Sequence, residues 1–311
     1  LILETFDLTK MYGDNAGCLD VCLSMDRGQV FGLLGPNGAG KSTLVKMLVS
    51  LLIPTSGSAR IFDRPIGDVE VRRRIGYLPE NFNYQPWLTG EELLGFHASL
   101  CGMTPAKTQK RVPEVLDQVG LVGKERQKVG AYSKGMRQRI GLACALLNDP
   151  DLVFLDEPTS ALDPLGRRDV RQILLELRDR GKSVFLNSHL LSEVEMVCDH
   201  VDIIDRGKIV AGGKLEDLLA RNVEVQMEIE GANQAMLDEL ARSSHGVNAG
   251  VDVSVGSKGN LVTLSLDSRD AIPALVEAVT RNGGRLFDLQ TKHRSLEDLY
   301  VSLIKGEGGP P

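Results

Sequence analysis

The chain has 311 residues, of which 42% are hydrophobic, 25% charged and 5% aromatic, a globular composition that excludes collagen-like, mostly disordered and disulfide-scaffold chains. Lys and Arg number 36 against 42 Asp and Glu, a formal charge of −6, so a chain-wide electrostatic footprint for nucleic acid is absent. No apolar run approaches the roughly 18 to 20 residues that span a bilayer, and the cysteines Cys18, Cys22, Cys101, Cys144 and Cys198 form no C-x-x-C pair, which fits a reducing compartment.

The N-terminus has no basic segment followed by an apolar stretch, so a secretory leader is not expected. From Val30 to about Arg206, short apolar runs alternate with helical patterns, the reading for a parallel sheet covered by helices. Val30 to Leu34, Leu152 to Leu155, Val184 to Leu186 and Val201 to Ile204 are nearly continuous apolar strands, as burial on both faces requires. Ligands of such sheets bind beyond the carboxyl ends of the strands.

The first of these strands runs into Gly35-Pro36-Asn37-Gly38-Ala39-Gly40-Lys41-Ser42, a G-x-x-x-x-G-K-[ST] string that opens a helix through Thr43 to about Leu52. Its glycines let backbone N–H groups wrap a phosphate, and the helix N-terminus adds partial positive charge at the same spot. Lys41 is placed for the β- and γ-phosphates, and the Ser42 hydroxyl for Mg²⁺.

Helical patterns follow at Gly90 to Leu100 and Pro113 to Val119. Next, Leu152 to Leu155 ends in two adjacent carboxylates, Asp156 and Glu157. Alternation along an extended chain separates them, with Asp156 toward Mg²⁺ and Glu157 toward an attacking water as general base. Beyond Gly212-Gly213, a short helix and a β-α-β-β-α-β order suggest a small ferredoxin-like unit. Ser295 is placed to cap a final helix. The expected domains are 1–218 (helical subdomain about 85–150) and 219–304, with a flexible tail at 305–311.

The two phosphate motifs resemble those of the nucleotide-binding subunits of ATP-binding-cassette (ABC) transporters, over roughly residues 3 to 215. Tyr132-Ser133-Lys134-Gly135-Met136-Arg137-Gln138-Arg139 looks like that family's signature. Ser160-Ala161-Leu162-Asp163 resembles its dimer loop, and His189 its switch histidine. Tyr12 is placed like the aromatic that stacks on adenine, with core packing as the alternative. The resemblance implies a P-loop ABC ATPase core that binds ATP and Mg²⁺. Ser133, Lys134, Gly135 and Met136 would serve ATP held by a second subunit, a homodimer partner or close paralogue. His189 and Glu157 would complete the catalytic site.

This sequence departs from the family in two places. Glu80 stands where a glutamine is usual, a potential oxygen ligand for Mg²⁺ with an added charge. Lys134 and Met136 replace the common signature residues. With Gly76-Tyr77-Leu78-Pro79-Glu80, they resemble the drug, antibiotic and lipid exporter branch. The implied partner is a multi-spanning membrane permease, with the chain peripheral at the cytoplasmic membrane face and no nucleic-acid partner expected.

The aromatics of Asn81 to Trp87 suit either a permease groove or packing inside the helical subdomain, and Arg72 to Arg74 read as a solvated face. The C-terminal unit resembles an exporter accessory domain for dimer contact or regulation, with a small-ligand sensor as the alternative. The competing function is a soluble ABC ATPase acting on ribosomes or nucleic acid.

Overall fold

The structure, a computed structural model, describes residues 1–160, 162–220, 223–243, 252–255, 259–266, 269–292 and 295–304. The chain divides into two compact units, Leu1–Gly213 and Lys214–Pro311. The tail expected at 305–311 and Ala161 of the dimer loop lie outside the described residues.

The first unit opens with β1 (Leu3–Tyr12), β2 (Asn15–Val21), β3 (Ser24–Met25), β4 (Val30–Leu34) and α1 (Lys41–Leu48). Next come β5 (Ser56–Ile61), β6 (Arg64–Pro65), α2 (Val69–Arg74) and β7 (Ile75–Leu78). A helical segment follows: α3 (Gly90–Leu100), α4 (Pro105–Gln118) and α5 (Lys134–Leu146). The unit is completed by β8 (Leu152–Asp156), α6 (Pro164–Asp179), β9 (Ser183–Asn187), α7 (Leu191–Val197), β10 (His200–Asp205) and β11 (Lys208–Lys214).

The central sheet has the order β11-β10-β4-β9-β8-β7, and β10, β4, β9, β8 and β7 pair in parallel. Every residue of β4, β8 and β9 is buried, which is why each reads as an unbroken apolar run. Phe31, Phe185 and Phe154 stack through the sheet, with ring centroids 5.2 and 5.4 Å apart. A second sheet, β2-β1-β5-β6 with β3 on β1, supplies Leu3, Leu8, Val21 and Ile61 to the same core as Met47 and Leu48 of α1. The order matters for function. Because β9 lies between β4 and β8, the loops after these three strands emerge side by side.

Two boundaries differ from the sequence reading. α1 stops at Leu48, and Ser50 turns left-handed at φ 63°, before the expected end at Leu52. α4 starts at Pro105, capped by Thr104, whose hydroxyl accepts from the Lys107 N–H at 3.4 Å, and it continues through Pro113. Pro113 therefore lies inside the helix, where its missing N–H removes one rung, and is not its first residue.

In the second unit, α8 (Leu215–Ala220) precedes β12 (Val223–Glu230), α9 (Gln234–Ser243), β13 (Asp252–Val255), β14 (Asn260–Leu266), α10 (Ile272–Arg281), β15 (Arg285–Lys292) and α11 (Leu296–Ile304). Its strands form an antiparallel sheet of order β13-β14-β12-β15, the ferredoxin-like arrangement. Val225, Met227 and Ile229 alternate inward from β12 onto Met236 and Leu240 of α9 and Leu275 and Val279 of α10. Ser295 caps α11: its hydroxyl accepts from the Asp298 N–H, and the Asp298 carboxylate accepts from the Ser295 N–H.

Candidate functional site

An open cleft of about 450 Å³ lies where the loops after β4, β8 and β9 meet. Gly38, Gly40, Lys41, Ser42 and Thr43 form one wall, and Glu80, Glu157, Asn187 and His189 another. Gly40 is the N-cap of α1, at φ 107°, and no side chain caps this helix, so its first N–H groups are open to an anion. A Cβ on Gly40 would lie 2.1 Å from the Gly17 carbonyl oxygen, and one on Gly35 would lie 2.2 Å from that of Ile204. Only glycine fits the loop at these two points.

Lys41 is buried, and its Nζ donates to the carbonyls of Gly35 at 2.6 Å and Pro36 at 3.1 Å. Burial pushes its pKa down, while the charges of Glu157, Asp156 and Glu80 push it back up. The ammonium thus faces three carboxylates across the site.

Asp156 is buried at the end of β8, and burial holds its carboxyl above the usual range, with the charge of Glu80 adding to the rise. Hydrogen bonds from Asn187 and Ser42 oppose the shift. The alternation expected to separate the two acids ends here. Glu157 takes left-handed backbone at φ 55°, a conformation costing a side-chain-bearing residue about 1–3 kcal/mol. Its N–H donates to the Asn187 carbonyl at 2.9 Å, and its Oε2 lies 2.7 Å from His189 Nδ1. Burial raises the Glu157 carboxyl, and His189 and Lys41 pull it down. His189 itself is half-exposed at the cleft mouth.

Ser42, Asp156 and Glu80 offer hard oxygen donors. Among the described residues no three His, Cys, Asp or Glu side chains converge as a metal cage. Hard oxygen donors suit Mg²⁺, which typically takes one or two protein ligands and completes its shell with phosphates and water. The buried Asn187 Oδ1, beside Asp156, has no hydrogen-bond partner among the described residues, a free acceptor suited to such a hydrated ion.

Tyr12 is 49% exposed, so it does not pack in the core. Its ring stands at the rim: a Cβ on Gly17 would lie 2.8 Å from Tyr12 Cε2 and 2.9 Å from Thr43 Cγ2. Lys10 Nζ is 5.6 Å from the ring centre. Pro36 and Ala39 shape the phosphate loop, joined by the Ala39 N–H donating to the Pro36 carbonyl, and Asn37 lines the cleft.

The signature lies elsewhere. Ser133 caps α5, its hydroxyl accepting from the Met136 N–H at 3.2 Å, and Ser133 and Lys134 are exposed while Gly135 and Met136 are half-buried. Asp163 caps α6 by accepting from the Gly166 N–H at 2.8 Å. Among the described residues lining the cleft, none comes from Ser133 to Met136, nor is Asp163 there. One chain therefore gathers the phosphate loop, the acids and the histidine around the cleft, and its signature is not among the described residues lining it.

Sequence profiles of the ABC transporter family match residues 18–160. The uncharacterized ABC transporter ATP-binding protein sll0415 of Synechocystis is 35% identical over 99% of this chain and 86% of its own length. The bacitracin transport ATP-binding protein BcrA of Bacillus licheniformis is 35% identical over 98% of each chain. The chain belongs to the ABC transporter ATP-binding proteins. The dimeric ATP-binding cassette MJ0796, solved in a post-hydrolysis state with ADP and Pi, matches with a TM-score of 0.64 at 27% identity, covering 69% of this chain and 99% of its own.

This ABC ATPase binds and hydrolyses ATP, and its first unit is the family's cassette. No helix among its described residues is long and apolar enough to cross a membrane. The aromatic segment after Glu80 divides its labour. Phe82 and Tyr84 lie tilted against each other with ring centroids 5.0 Å apart, and Tyr84 meets His97 edge-on at 5.5 Å, inside the helical segment. Trp87 is 66% exposed, as are Phe96 and Leu100 of α3 in large part. Of the arginine triple, Arg73 pairs with Glu70, while Arg74 pairs with Asp151 at 2.7 Å and lies over the Phe62 ring.

Asn187 was not singled out by sequence. Its only signal was a polar residue ending an apolar strand, and its position beside Asp156 depends on strand order.

Proposed function

We propose that this ATPase powers export: two subunits close head to tail over MgATP and drive a separate multi-spanning membrane permease. The observation that supports it is the pairing of Glu157 with His189 at the mouth of the phosphate cleft, while the signature of the same chain is not among the described residues lining that cleft. A site so divided needs a second chain.

Residues Gly35 to Thr43 wrap the phosphates, and Lys41 exchanges its loop carbonyls for β- and γ-phosphate oxygens. Ser42, Asp156 and Glu80 hold Mg²⁺, which when bound neutralises charge on the transferred phosphoryl group. Glu157 takes the proton of the attacking water, its carboxyl already raised by burial toward useful basicity. His189 orients Glu157 and reaches the γ-phosphate. Tyr12 stacks on adenine. Ser133, Lys134, Gly135 and Met136 meet the nucleotide of the opposite subunit at the N-terminus of α5, and Asp163 lies in the loop between subunits.

The relative named for bacitracin transport supports a transport role. Trp87, Phe96 and Leu100 form the apolar surface for the permease, with the chain peripheral at the cytoplasmic membrane face. The C-terminal unit serves dimer contact or regulation.

The test is capture from detergent-solubilised membranes of the source cell, with full-length Glu157→Gln as bait in MgATP. Recovery of a stoichiometric multi-spanning protein is the expected result. Recovery of ribosomes or soluble proteins alone would replace the transporter with a cytosolic role while leaving the ATP chemistry in place.

A further inference from the structure

Asn187 ties together the two acids of the site. It ends β9, directly opposite Asp156 in the parallel register of β8 and β9. Its Nδ2 donates to Asp156 Oδ1, and its backbone carbonyl accepts from the Glu157 N–H at 2.9 Å. The side-chain orientation follows from chemistry: an ionised carboxylate only accepts, so the amide nitrogen must face Asp156. That leaves Oδ1 as the free end. Asn187 is 1% exposed, lines the nucleotide cleft, and its Oδ1 is buried without a partner among the described residues. A buried acceptor left unpaired is costly, so a bound state that supplies a donor there is favoured.

We propose that Asn187 is a positioning residue for the metal: it fixes the rotamer of Asp156 through Nδ2 and accepts, through Oδ1, a hydrogen bond from a water of the Mg²⁺ shell. This rests on the MgATP reading above. Two alternatives in the same cleft are weaker. Ser160 also lines the cleft, but its hydroxyl is already committed to the Glu157 carbonyl at 3.1 Å. Glu80 is exposed and is already a candidate ligand in its own right. Among the described residues lining the cleft, Asn187 touches both acids and keeps a free acceptor.

Partners of metal ligands, when removed, typically weaken metal affinity about 10- to 100-fold. The test uses the full chain with Asn187→Leu, which removes both polar ends of the amide at similar size, and Asn187→Ser, which keeps a short polar group. Mn²⁺ serves as a paramagnetic probe for Mg²⁺, titrated by electron paramagnetic resonance in the presence of ADP. ADP affinity in EDTA is measured alongside. The expected result is Mn²⁺ binding weakened about 10- to 100-fold in Asn187→Leu and less in Asn187→Ser, with metal-free ADP affinity within about 2-fold of the parent chain. Unchanged Mn²⁺ affinity in either variant overturns the proposal. So does an equal loss of metal-dependent and metal-free ADP binding, which marks a purely structural role. If Asn187→Leu does not fold, Asn187→Ser is read by the same criteria. Failure of the parent chain to bind MgATP would instead remove the underlying nucleotide reading.

Discussion

His189 Nδ1 and Glu157 Oε2 lie 2.7 Å apart, although the residues follow different strands, and Glu157 takes a left-handed backbone at φ 55°. The contact presets the orientation of a buried carboxylate before nucleotide arrives. It also ties the acid to a residue at the cleft mouth, where a second subunit would close.

Glu157→Gln keeps the shape of the side chain and removes its basicity. Hydrolysis should fall about 10²- to 10⁴-fold, the usual loss for a general base, while ATP binding persists and a closed dimer accumulates. Phosphate release and size-exclusion chromatography in MgATP measure both. Undiminished turnover would take Glu157 out of its role.

The same residue predicts a pH-dependent stability. Burial holds the folded Glu157 carboxyl above its ordinary range, so the folded chain binds this proton more tightly than the unfolded one. Its contribution is fully present below the unfolded carboxylate pKa of about 4.3 and is lost as pH rises through the higher folded value. Glu157→Gln should therefore raise the Tm of the nucleotide-free chain near pH 7, by about 2–4 °C for each kcal/mol recovered. The gain should shrink toward pH 4. Calorimetry showing the same Tm difference at both pH values would contradict this.

Gly40→Ala meets two obstacles at once: a backbone at φ 107° and a Cβ 2.1 Å from the Gly17 carbonyl oxygen. The strained backbone alone costs about 1–3 kcal/mol, and relief requires the loop to part from β2. Thermal unfolding should show the loss, and isothermal titration should show ATP affinity falling at least about tenfold. Parent-like affinity would mean that the loop does not wrap the phosphates.

Mixed dimers test the division of the site between chains. Lys41→Ala and Ser133→Ala damage opposite halves, so either variant alone spoils both composite sites. Mixing them restores one intact site in each heterodimer. Partial recovery of ATPase on mixing is expected, measured as phosphate release per chain against protein concentration. Equal activity of the separate and mixed samples, independent of concentration, would put the whole site within one chain.

Much of the site was legible in the sequence because its devices are local. The phosphate loop works through consecutive glycines and a helix N-terminus. Ser133 and Asp163 cap helices through N–H groups three residues ahead, and buried strands announce themselves as apolar runs. Hydrogen bonds and burial within a few residues leave their pattern in the order of residue types.

What tertiary structure decided depends on neighbours distant in the chain. Placing β9 between β4 and β8 set Asn187 against Asp156 across 31 positions. Packing against α5 and His97 drew Phe82 and Tyr84 inward and left Trp87 outside. The carbonyl of Asn187 holds the Glu157 N–H at a turn that strand alternation did not foresee. Periodicity records which face of an element is buried, but the partner strand and its register are chosen by long-range pairing, and there the geometry of the two acids was settled.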